Sequence, residues 1–441
     1  MLCCGLFCTA VACGQSLTLD TCLTLAVQNE ASLQNARIDV ETARMVKKQA
    51  FTKYFPNVSA TALGYYAMHP LVEYGIDDID NAMVRHWLQN LYMQYGRMIG
   101  LPDAFTIGEK GFSVGATVVQ PLFMGGQIVQ GNRLAQVGVE AAQQQYLLQQ
   151  QRVLLQTEQC YWMVLSLQSK KQTLEEAILF VDTLYRDVTV AQEAGLLTRN
   201  EELKVALKRT ELQSDLLRVN NGIVMAKRAL CQLVGVPYSE GVQLTDTVNR
   251  RPLPPDSLYV EAGAAVANRP ESRLLELQST AARIQQKMSV GEALPHVLVG
   301  AGASYGSLLK DEYSTNGLVF ATVQVPLTAW WETAYKQRTA ALKFQAAEND
   351  RKDLSQKMLL ETEHTWDNLR EQYAQVTLAA EMVAEADANQ QSVLHNYLAG
   401  LVPVSDLLEA QTLYRQALDQ QMDKLIDYQI TMSRYKQISS R

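Results

Sequence analysis

Residues able to do acid–base, metal or nucleophilic chemistry are present but scattered. The five histidines, His69, His86, His296, His364 and His395, show no metal-ligand spacing, no phosphate-binding loop occurs, and nothing suggests a Ser, His and Asp set. Four of the seven cysteines (Cys3, Cys4, Cys8, Cys13) lie in the first 14 residues. The others, Cys22, Cys160 and Cys231, are far apart in stretches of helical periodicity and suit small buried hydrophobes better than ligands. Neither an enzyme nor a cofactor is expected. One spacing does carry electrostatics: Asp406 and Glu409 are three residues apart and share a helix face. Repeated about a trimer axis, such residues form rings of negative charge that select cations or hold blocking ones. Ser405 and Asp406 could equally cap the helix that follows. The acidic pairs Asp77-Asp78 and Glu201-Glu202 read as solvated surface.

The elements that would position these residues follow from composition and pattern. The chain has 441 residues, a formal net charge of -7 and 19% charged residues, with no concentration of Lys and Arg of the kind phosphate contacts need, so no nucleic-acid partner is expected. Beyond the N-terminus no run approaches the roughly 18 to 20 apolar residues of a transmembrane helix, so membrane entry would be by strands. Residues 1–14 resemble the back half of a secretory signal without its basic start, which places the true start further upstream, with cleavage after Ala12 or Gly14. Ala10-Val11-Ala12-Cys13 loosely resembles a lipobox and makes Cys13 an alternative lipidation site.

A long internal repeat organises the rest. Gln120-Pro121-Leu122 answers Val325-Pro326-Leu327, Ala141-Ala142 answers Ala346-Ala347, and Ala194-Gly195-Leu196 answers Ala399-Gly400-Leu401, all at an offset of 205 residues. Upstream, Tyr54-Phe55-Pro56-Asn57-Val58 pairs with Ala293-Leu294-Pro295-His296-Val297 at an offset of 239, so the first half carries 34 extra residues, assigned to a loop over 67–110. That loop is long and rich in aromatics (Tyr74, Trp87, Tyr92, Tyr95). Each half begins with a helical stretch, Leu17 to Lys53 or Leu258 to Glu292, followed by a Pro and two runs alternating at period 2. The expected division is a first repeat over 15–235 (strand hairpin 56–121, helical hairpin 122–235, tip near 195–200), an equatorial linker over 236–257, and a second repeat over 258–441 (strand hairpin 295–326, helical hairpin 327–435, tip near 399–405).

From Gln127 to Ala194 there are two early glycines and no proline, and from Thr328 to Ala399 neither occurs. Helices of roughly 65 to 70 residues would be about 100 Å long, and their apolar spacing of three and four suits coiled coils. Two hairpins supply four strands, too few to close a barrel, and open edges are not tolerated in lipid. Three copies would give about 12 strands, whereas two would give about eight and no useful pore.

This duplicated order, with Gln120-Pro121-Leu122-Phe123-Met124-Gly125-Gly126 leading into the first long helix, resembles the TolC family of outer-membrane efflux proteins over essentially the whole mature chain. The resemblance implies a mainly α fold with a transmembrane β part, namely a homotrimer with a 12-stranded barrel in outer-membrane lipid and a coiled-coil tunnel through the periplasm of a Gram-negative bacterium. It implies partners as well, a periplasmic adaptor and an inner-membrane transporter, in efflux or type I secretion. It places Asp406 and Glu409 at an acidic periplasmic constriction, Tyr397 at a gating tyrosine, and Glu201 at the first-repeat counterpart of Asp406. Thr328-Ala329-Trp330-Trp331 departs from the glycine pattern, and Val402 replaces a basic residue near the tip. Gly195 and Gly400 would reverse the long helices, with Leu196, Leu197, Leu401 and Val402 as candidate adaptor contacts that could equally pack among themselves. A periplasmic coiled-coil scaffold without a pore is the rival reading, and it has no use for membrane strands.

Overall fold

The structure, a computed structural model, describes residues 16–68, 72–96, 104–107, 110–307, 313–326 and 329–439. The first repeat contains strand β1 (Ser16–Leu17), helices α1 (Leu19–Asn29) and α2 (Ala31–Thr52), and strand β2 (Asn57–Tyr66). An insertion follows with β3 (Val72–Gly75), α3 (Ala82–Leu91) and β4 (Ala104–Ile107), then β5 (Lys110–Met124), α4 (Gln127–Glu193) and α5 (Arg199–Val234). Between the repeats lies β6 (Gln243–Leu244) and a 3-10 turn, Pro255–Leu258. The second repeat comprises α6 (Ala262–Ala267), α7 (Pro270–Gly291), β7 (His296–Ser307), β8 (Ser314–Gln324), α8 (Ala329–Leu398) and α9 (Val404–Ile438).

Helices α4 and α8 run for 67 and 70 residues, uninterrupted because neither contains proline. Buried Leu174, Ala177, Val181, Leu184 and Val188 on α4 alternate spacings of three and four, the heptad rhythm of a coiled-coil seam. They pack with Val205 and Leu212 of α5 and Val404, Leu407 and Leu408 of α9.

Several sequence expectations change. The stretch from Leu17 to Lys53 is two helices, broken at Glu30, whose backbone is extended (φ -64, ψ 123), and Leu17 belongs to β1. The stretch from Leu258 to Glu292 breaks before Pro270, which disfavours helix in the residue before it and then starts α7. At that break Arg269 is buried and ion-paired with Glu271 and Glu361, both at 3.1 Å. The segment 67–110 is not a plain loop: β3 and β4 pair antiparallel, Asn81 caps α3 by accepting from the Met83 and Val84 amides, and Gln89 donates to Asp77 at 2.5 Å.

The segment over 236–257 is more than a connector, since β6 pairs in parallel with β1. Asp246 accepts hydrogen bonds from the Leu19 amide and the Tyr161 hydroxyl, each at 2.7 Å. Cys22 and Cys231 are buried in the adjoining cluster with Cys160 packed against it, and burial pushes the Cys22 thiol up to about 11. These thiols are core residues, as their spacing suggested. Cys13 lies outside the described residues.

The chain divides into two units that cut across the repeat, each taking matching pieces of both halves. One draws on Met1–Arg44, Gly138–Thr280 and Ala346–Arg441 and carries the helical turns; the other draws on Met45–Val137 and Ala281–Gln345 and carries the sheet. In the second unit β5 turns into α4 through Gly125 (φ 60) and Gly126 (φ 76). A Cβ on Gly125 would lie 2.0 Å from the Gly291 carbonyl oxygen, so the end of α7 can pack against this turn only while Gly125 has no side chain.

Candidate functional site: a two-faced sheet and two helical turns

The four long strands form one antiparallel sheet in the order β2-β5-β7-β8. Directly paired residues project to the same face, so the register sorts every side chain. One face carries the rungs Val58-Val118-Ala301-Val319, Ala60-Ala116-Ala303-Gly317 and Ala62-Val114-Tyr305-Thr315. The other carries Ser59-Thr117-Gly302-Leu318, Thr61-Gly115-Ser304-Asn316 and Leu63-Ser113-Gly306-Ser314. The first face is almost wholly apolar and the second is built mainly from hydroxyl, amide and glycine residues. On central strands β5 and β7 the apolar-face residues are the exposed ones, while those of the polar face are half-buried. An exposed apolar face opposite a sheltered polar one is the pattern of a membrane barrel, lipid outside and water within. Strands β2 and β8 are the sheet's edges, and each has one side without a strand partner among the described residues. No helix among the described residues is long and apolar enough to cross a membrane.

The helical turns are built alike. Gly195 (φ 77) and Gly400 (φ 73) adopt the left-handed conformation that ends α4 and α8. The Leu196 amide donates to the Ala191 carbonyl and the Leu401 amide to the Asn396 carbonyl, both at 2.9 Å. Leu196 is 79% exposed and Leu401 74%, whereas Leu197 packs on the helical core and Val402 is half-buried. Leu398, 74% exposed, joins this apolar tip although no turn signal in the sequence marks it.

Asp406 and Glu409 are exposed, on the side of α9 opposite buried Leu407 and Leu408, and neither makes an ion pair among the described residues. The helix-capping alternative finds no support: Pro403 is the N-cap, no side chain caps it, and the Ser405 hydroxyl lies 3.2 Å from Asp406 Oδ1. Glu201 differs from its counterpart Asp406, for Lys204 pairs with it at 2.9 Å. Glu202 is buried and bound by Arg199 at 2.8 Å, so this acidic pair is not the solvated surface that its sequence suggested. The three-residue spacing of Arg199 and Glu202, and of Glu201 and Lys204, was the available signal. Tyr397 packs against the helical core. Burial, with the nearby carboxylates of Asp187 and Glu201, pushes its phenol up and keeps it a hydrogen-bond donor.

A family profile described as outer membrane efflux protein matches residues 22–236, from α1 to just past α5. Over that stretch, which is the first repeat, the chain is similar to this family. The match and the fold together support an outer-membrane efflux channel, with a place in the Gram-negative outer membrane and a periplasmic extension. No curated protein matches the chain. Solved channels share its fold at low identity. The CmeC outer membrane channel of Campylobacter jejuni is 15% identical with a TM-score of 0.76, covering 96% of this chain and 85% of its own. The outer membrane protein VceC of Vibrio cholerae is 14% identical with a TM-score of 0.74, covering 96% of each chain. The open-state MtrE outer membrane channel of Neisseria gonorrhoeae is also 14% identical at 0.74, covering 96% of this chain and 88% of its own. The fold is therefore TolC-like and mainly helical.

Proposed function

We propose that three copies of this efflux protein close their sheets into one 12-stranded barrel and form the outer duct of an export machine, taking substrate from an inner-membrane transporter through a periplasmic adaptor. The observation that carries this reading is the sheet itself, with one apolar face, one polar face and two edges that have no strand partner among the described residues. Edge β2 of one copy pairs with edge β8 of the next, which removes the open backbone groups that lipid cannot satisfy. The duct is passive. Transport is driven by the transporter.

The helical turns form the periplasmic end in this reading. Leu196, Leu197, Leu401 and Val402, with Gly195 and Gly400 shaping the turns, supply an apolar tip that an adaptor covers. Asp406 and Glu409 form the acidic constriction, Tyr397 stands behind it as a hydrogen-bond donor, and Glu201 contributes less because Lys204 neutralises it. The test is single-channel conductance of detergent-extracted protein in planar bilayers, together with the mass of its crosslinked assembly. Discrete conductance from a crosslinked trimer is the expected result. A protein that inserts as a monomer or never conducts would sink the proposal.

A further inference from the structure

A cleft of about 1000 Å³ lies within the sheet-bearing unit, where β2, β5 and β7 give way to α2, α4 and α7. That size is at the upper end for pockets that take small organic molecules. Its walls include Val46, Val119, Met124, Ile128, Met288 and Leu298. The sheet residues among them are informative. Asn57 pairs with Val119, Pro121 with Leu298, and Met124 with His296, and these rungs belong to the polar face of the sheet. The cleft therefore opens on the face that lines the barrel's water-filled interior when the sheet closes. An apolar hollow on that face is out of character with the Ser, Thr and Asn rungs beyond it, and it is not the surface that lipid covers.

Charge narrows the occupant. Lys53 is the single charged residue among those lining the cleft, and it is exposed and makes no ion pair among the described residues. Lys336 of the same unit, in contrast, is paired with Glu292 and Glu332. An apolar wall beside one unneutralised cation complements a molecule that joins an apolar ring system to a single negative charge.

We infer that this cleft is a contact site inside the conduit for amphiphilic organic anions, aromatic sulfonates or carboxylates, with the rings against Met124, Ile128 and Leu298 and the anionic group at Lys53. The inference rests on the channel reading above, which sets the polar face toward the lumen. It gives the duct a preference of its own, holding apolar anionic cargo at the neck before the hydrophilic barrel.

The test uses the reconstituted full-length channel in planar bilayers, with 8-anilinonaphthalene-1-sulfonate as the anionic probe and N-phenyl-1-naphthylamine as its neutral counterpart. The expected result is transient interruption of the current by the sulfonate, needing about tenfold more probe in Leu298→Asn and in Ile128→Asn. Lys53→Gln should weaken the sulfonate's effect by about tenfold and leave that of the neutral probe unchanged. Each variant is scored against its own open current. Because Lys53 is exposed, its variant remains informative if a substitution in the wall prevents assembly. A conducting channel that the sulfonate does not interrupt, or interrupts equally in wild type and Lys53→Gln, overturns the site and leaves the channel standing. A protein that never conducts overturns the channel reading, and the site with it.

Discussion

The turn at Gly195 and the turn at Gly400 close with the same hydrogen bonds, 205 residues apart. Ala194 donates to Val190 as Ala399 does to His395, Gly195 to Gln192 as Gly400 to Tyr397, and Glu201 to Thr198 as Asp406 to Pro403, at 2.9 to 3.2 Å. Their charges have nonetheless diverged. The first turn balances its own carboxylates with Arg199 and Lys204, whereas the second leaves Asp406 and Glu409 exposed with no ion pair among the described residues. The left-handed backbone that reverses a long helix has been kept in both copies, and the side-chain chemistry has not. A function that depends on charge should therefore sit in one half only.

The halves also differ at the strand-to-helix bend, and the largest expected effect lies there. The first repeat turns through Gly125, while Ala329 already begins α8 in the second. Gly125→Ala should destabilise the protein by about 2 to 3 kcal/mol, since the new methyl would meet the Gly291 backbone. Gly126→Ala meets nothing within 4 Å and should cost only about 1 kcal/mol of backbone strain. Thermal unfolding followed by helical circular dichroism measures both, and equal midpoints for the two variants would refute the close approach.

The charge contrast is tested next by divalent-cation block of the conducting channel. Asp406→Asn with Glu409→Gln should raise the half-blocking concentration about tenfold, and Glu201→Gln less than about twofold. An equal effect from Glu201→Gln would erase the asymmetry. The backbone likeness has its own check. Gly195→Ala and Gly400→Ala both meet open space at positive φ, so each should cost about 1 kcal/mol, the same within error. A large difference in thermal midpoint would mean that one turn is held by contacts the other lacks.

Much of the architecture was legible because its signals are long. The absence of proline over some seventy residues foretold α4 and α8, and an offset of 205 ties Gly195 to Gly400 within the sequence itself. Short signals failed. No breaker residue marks the kink at Glu30, and β1 and β6 have two residues each, too few for periodicity. The elements within 67–110 are brief enough that their aromatic residues read as a loop. At the tips, sequence placed Asp406 and Glu409 on one face, but the burial of Glu202 depends on tertiary packing that no local spacing reports. The cleft at the neck needed the strand register, since Val119 and Leu298 meet only once β5 and β7 are paired.

The smallest expected effect tests whether the asymmetry extends down the helices. On α9, Asp419 accepts from the Thr173 hydroxyl at 2.8 Å and pairs with Arg415 at 3.1 Å, while Lys170 of α4 pairs with Asp423 at 2.8 Å. The residues 205 earlier are Ser214 and Arg218, so the second repeat alone supplies these carboxylates. Burial pushes the Asp419 carboxyl up, with Thr173, Arg415 and Lys170 opposing it. A raised carboxyl contributes stability that is fully present below the ordinary value of 3.8 and is lost as pH rises through the raised one. Asp419→Asn removes that titration. The variant should therefore gain on wild type, slightly, as pH is taken from below 3.8 toward neutrality, read as the difference between their thermal midpoints. A variant that instead loses ground to wild type as pH rises would show that the hydrogen bond and ion pairs outweigh burial, and that this seam is held by its charges.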